Sequence, residues 1–136
     1  ATNTLTVTTT GTSGYSLSAY ETGILTHTGI AGTTIANYTD GGAATYAAPT
    51  VWTATCGADA NKCGFGYNTN DADVTQFQAD EYAPFSQTAP GDEVAKSTTP
   101  QFTNDVTTIT YRSSVSVTQK AGPYTTTVIY IVTPQF

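Results

Sequence analysis

Cys56 and Cys63 are the residues whose spacing most directly implies a bond. They enclose Gly-Ala-Asp-Ala-Asn-Lys, a loop short enough to close as a disulfide in an oxidising compartment. Closure contributes roughly 2.5 kcal/mol in the chain-entropy treatment. Zinc would need further thiol or imidazole ligands, and the chain has one His and no other Cys. His27 lies between Thr26 and Thr28 in alternating sequence, and no serine sits in a Gly-x-Ser-x-Gly setting. It reads as an exposed or hydrogen-bonded strand histidine, and no catalytic residue is expected. Asp80-Glu81 and Asp92-Glu93 are adjacent pairs; strand neighbours face opposite sides, so neither forms a carboxylate dyad. Asn68, Asn70, Asp71 and Asp73 bring together the oxygen-bearing side chains that calcium prefers. The loop lacks the Asp-x-Asp-x-Asp-Gly register and a distal Glu, and Asn and Asp also gather in turns. These four are a weak calcium candidate, and no metal or other cofactor is expected. Asn37-Tyr38-Thr39 is the sole Asn-x-Ser/Thr acceptor, which makes Asn37 the glycosylation candidate.

The elements that must position these groups are strands. Across residues 106–132 the pattern predicts two strands joined by a short turn. Ile109, Tyr111, Val115 and Val117 alternate with Thr, Ser and Arg, which places them on one face. Gln119-Lys-Ala-Gly-Pro123 breaks the ladder. Val128 to Val132 is a contiguous apolar run, so this last strand is expected to be central or covered on both faces. Thr4 to Thr10 alternates about Leu5 and Val7, and residues 15–20 alternate about Tyr15, Leu17 and Ala19. Residues 24–35 read as short strands cut by glycines, and Trp52 as the large core anchor. Residues 56–100 form a loop-rich excursion with short strands near 64–67 and 94–97; a helix at 73–82 is the alternative there, on a thin apolar stripe of Val74 and Phe77 alone.

Composition points the same way. Thr occurs 31 times, whereas charged residues make up 10% of the chain, far below the usual quarter. Thr favours strands and hydrates their outer face, so one residue type supplies both fold and solubility. With 136 residues the chain holds one core. Net charge is −6 with no basic patch, which disfavours nucleic acid as a partner. No apolar run approaches the ~20 residues of a membrane span. An Ala1 start and a disulfide loop fit a mature secreted protein. Tyr38, Tyr46, Phe65, Tyr67, Phe77, Tyr82 and Phe85 cluster in the middle, where packing of the excursion is the commoner role and a glycan-binding surface the alternative.

Gln119-Lys-Ala-Gly-Pro-Tyr-Thr-Thr-Thr-Val-Ile-Tyr130 resembles the closing hairpin of secreted immunoglobulin-like sandwiches of the spore-coat-U and fimbrial-subunit type, and Gly14-Tyr-Ser-Leu17 resembles an early strand of similar surface proteins. The resemblance covers about a quarter of the chain. It implies an immunoglobulin-like antiparallel sandwich spanning residues 1–136, in which residues 1–10 pair with a neighbouring subunit. Thr4, Leu5, Thr6, Val7 and Thr8 would be the intersubunit strand and Gly11 to Gly14 its flexible hinge. Such a head-to-tail contact does not close and builds a filament of identical copies at the cell surface. The same strand also fits as the first of its own sandwich. An adhesin or carbohydrate-binding module is the alternative function.

Overall fold

The computed structural model describes all 136 residues. Its strands are β1 (Thr2–Val7), β2 (Tyr15–Glu21), β3 (Leu25–His27), β4 (Thr34–Ile35), β5 (Thr50–Val51), β6 (Gly64–Thr69), β7 (Glu81–Tyr82), β8 (Asp92–Ser97), β9 (Asp105–Ser114), β10 (Tyr124–Thr125) and β11 (Val128–Pro134). There is no α-helix; residues 73–80 run through turns before β7. All strand pairings are antiparallel.

Two three-stranded sheets, β1-β9-β6 and β11-β2-β8, face each other, with β10-β3-β4 and the β5-β7 pair at their margins. The alternation explains how they meet. In β2, Tyr15, Leu17, Ala19 and Glu21 are buried and the residues between them half-exposed. Tyr67 of β6, Ile109 of β9 and Val94 of β8 complete one apolar cluster with them. Burying both inner faces is what stabilises an all-β sandwich. Hydrogen bonds stitch the layers together: Tyr15 donates to Asp105 at 3.0 Å, and Thr69 Oγ1 to the Val94 carbonyl at 2.7 Å. Trp52 is fully buried, as expected of an anchor, but in a separate cluster with Tyr38, Ala44 and Tyr82. The strands expected near 64–67 and 94–97 form as β6 and β8.

Three expectations fail. Residues 106–132 are not a hairpin. β9 pairs with β1 and β6, whereas β10 and β11 pair with β3 and β2, so 115–123 crosses from one sheet to the other. Val115 and Val117 ride on that crossing and are exposed. The final strand is neither central nor covered: β11 is a sheet edge, with Ile131 and Val132 exposed. Finally, Gly11 to Gly14 is no flexible hinge. Ser13 N–H donates to the Gln135 carbonyl and Gln135 N–H to that of Gly14, at 3.1 and 2.9 Å. Gly14 has φ +85°, and a Cβ there would run into the Ser97 carbonyl, so the turn is tight and glycine-specific.

Candidate functional site

One flank of the sandwich brings together the edges β1 and β11, one from each sheet. β1 pairs with β9 from Thr2↔Thr110 to Val7↔Asp105, within its own chain. Only Val7 is buried and Leu5 half-buried; the other four residues are exposed. The candidate strand Thr4, Leu5, Thr6, Val7 and Thr8 is therefore held mainly by its backbone ladder, and Thr8 Oγ1 reaches Asn104 at 3.0 Å. The Ala1 carbonyl accepts from Tyr111 N–H, so odd residues of β1 face β9. Thr2, Thr4 and Thr6 turn their N–H and C=O outward.

Across the gap lies β11. Asn3 Nδ2 donates to the Tyr111 hydroxyl at 3.0 Å, and Tyr111 and Tyr130 share a short hydroxyl–hydroxyl bond, which links the two sheets at this flank. Burial followed by the Tyr111 contact pushes the Tyr130 phenol well above the usual tyrosine range, so its hydroxyl stays protonated at neutral pH. Beside them opens a groove of about 420 Å³, walled by Leu25, Phe65, Tyr111, Tyr124 and Tyr130. Hydroxyls and ring faces line it, without a charged side chain. The flank can offer apolar contact, neutral hydrogen bonds and free strand edges.

The other candidates lie elsewhere. Cys56 and Cys63 form the expected disulfide. His27 is buried in β3; its Nδ1 accepts from Gly29 and Ile30 N–H, which leaves Nε2 protonated and directed at the Ala121 carbonyl at 3.1 Å. That tautomer ties β3 to the crossing segment. Three of the four calcium candidates, Asn68, Asn70 and Asp71, direct side-chain atoms to hydrogen bonds within the chain. Asp71 Oδ1 accepts from Asp73 and Val74 N–H and Oδ2 from Thr107, Asn70 Oδ1 accepts from Thr108 N–H, and Asn68 Nδ2 donates to Gln78 and Glu81 carbonyls. Glu93 accepts from Ser16 and pairs with Lys96, while Asp92 is half-buried with its pKa raised by burial. Six of the seven mid-chain aromatics are buried, Tyr46 being the exception, so they pack the excursion.

Two clusters escaped the sequence. Arg112 reaches the Trp52 carbonyl and lies 5.2 Å from the Trp52 ring, which stacks on Tyr38 at 4.0 Å. Arg112 also lies 5.7 Å from the Tyr82 ring; the members of this cluster are far apart in sequence, and only the alternation of β9 hinted that Arg112 faces away from Ile109. The second cluster is Glu21, fully buried although charged in sequence. Its Oε1 accepts from Gln87 at 3.3 Å; its Oε2 and the Asn37 Oδ1 are both buried without a partner. Asn37 Nδ2 is already spent on the Phe85 carbonyl at 3.1 Å, and the Asn37 side chain is within bonding reach of the Glu21 carboxyl. Burial raises the Glu21 pKa, against the Asn37 and Gln87 side chains, which pull it down.

No protein-family model, no curated protein and no solved structure matches the chain. No helix is long and apolar enough to cross a membrane.

Proposed function

We propose that the chain is a structural subunit of an extracellular filament, assembled by β-strand addition, with β1 as the strand passed between copies. The observation that carries this reading is the uneven attachment of β1. It makes a full ladder to β9 but buries only Val7, and it carries no charge. Exchanging β1 for that of a second copy would recreate every ladder bond and bury the same two side chains, so swapping costs little beyond the connecting segment. Because Gly11 to Gly14 is pinned at Gln135, the pivot would be Thr8 to Thr10, released from the Asn104 and Gln101 bonds of Thr8 and Thr9. The disulfide and the Thr-rich, charge-poor surface fit an oxidising, extracellular setting.

A glycan-binding module is the second reading, favoured by the tyrosine-walled groove, whose ring faces suit a sugar. Negative-stain electron microscopy separates the two. Filaments from the intact chain and none from a version lacking Ala1 to Thr10 support exchange. Dispersed particles from both, with binding on a glycan array, favour the groove.

A further inference from the structure

β11 presents a second interface, independent of β1. Thr22 N–H donates to the Thr127 carbonyl and Gln135 N–H to that of Gly14, so odd residues here face β2. Val128, Tyr130 and Val132 therefore direct their N–H and C=O groups out of the sheet, where no strand of this chain receives them. Natural edges are blunted by charge, bulges, proline or a covering element. β11 pairs with β2 through an unbroken register and carries no charge, and its proline is its last residue.

The sequence here is also palindromic: Thr127-Val-Ile-Tyr-Ile-Val-Thr133 reads the same in both directions. We infer that β11 pairs antiparallel with β11 of a second copy across a two-fold axis at Tyr130. In that register Val128 faces the second copy's Val132, Ile129 its Ile131, and Tyr130 its Tyr130. The outward-facing residues are the very ones that become hydrogen-bonded pairs, each exchanging both backbone bonds. The apolar pairs add cross-strand contact on both faces. The palindrome argues for a second copy as the occupant, and charge does not oppose it at this edge. The chain carries −6, so two copies repel except where acids are absent, and the far edge of the same sheet, β8, holds Asp92 and Glu93. A palindromic, uncharged edge suits an isologous contact.

Amide hydrogen exchange of the intact chain, followed from dilute to concentrated solution beside sedimentation, tests this without altering a residue. The inference expects dimers on concentration, with Val128, Tyr130 and Val132 amides gaining roughly tenfold or more protection as they form. V132P removes an outward N–H that the chain's own sheet does not use, so it should keep the fold and abolish the dimer. A chain that stays monomeric when concentrated overturns the inference, and so do dimers whose Val128, Tyr130 and Val132 amides exchange as in dilute solution. Because V132P leaves β1 intact, filaments that survive it separate this interface from the proposed strand exchange.

Discussion

The sheet built on β2 has two edges, and they are finished differently. On one side β8 carries Asp92, Glu93 and Lys96, and Glu93 and Lys96 pair at 2.9 Å. Its register against β2 slips between Leu17 and Ser18, which leaves Val94 without a partner across, and the freed Val94 carbonyl is taken by Thr69. Charge, bulge and cover all turn strands away. On the other side β11 runs straight along β2, uncharged and uncovered. The same central strand thus supports one closed edge and one open edge. One edge is finished against further pairing and the other is not. The β1 edge, equally uncharged, lies on the same open flank.

The comparison can be broken at its centre. Leu17 pairs with Val132 on one side and Ala95 on the other and is almost fully buried. L17A should cost about 3 kcal/mol by thermal or urea unfolding, since it leaves a cavity between the layers. I131A on the open edge should cost under about 1 kcal/mol, because its side chain is already exposed. Proline sharpens the parity of β11. I131P deletes an N–H that faces β2 and should cost about 3 kcal/mol, whereas V132P deletes an outward one and should leave the unfolding midpoint nearly unchanged.

Glu21, at the end of β2 between the two edges, sets a pH dependence. Its native pKa lies above the ordinary 4.5, so its contribution is fully present below that value and is lost as pH rises through the raised one. The wild-type chain should lose stability on going from acid toward neutral pH. E21Q keeps a neutral group there and should flatten that slope, leaving the smaller part that half-buried Asp92 contributes with the same sign. The smallest effect belongs to the closed edge: K96A breaks a partly exposed pair and should change stability by less than about 0.5 kcal/mol.

Much of the sandwich was legible in residue order. The alternation of Tyr15, Leu17 and Ala19 placed β2 against the core, and the Cys56–Cys63 spacing gave the disulfide. What was not legible is which sheet a strand joins. The run Val128 to Val132 reads as a strand buried on both faces, yet it lies at an edge, because apolar composition reports affinity for a partner without saying whether this chain supplies it. The turn at 119–123 looked like a hairpin because local chemistry marks a break in the ladder, whereas the crossing between sheets is decided by packing far away in sequence. The flank itself, with Asn3, Tyr111 and Tyr130 meeting across both sheets, had no local signal at all.

The most direct test of strand exchange uses the β1–β9 register. Thr4 lies opposite Thr108, in a pair whose backbone groups face away from each other, which brings the Cα atoms close enough for a disulfide. The chain has no free cysteine to interfere. In a chain carrying T4C and T108C, oxidised after assembly and run on a non-reducing gel, exchange predicts a ladder of covalent multimers from the filament fraction and a cross-linked monomer from the dispersed fraction. Filaments whose cross-link stays within single chains would show that β1 remains at home, contradicting its role as the intersubunit strand.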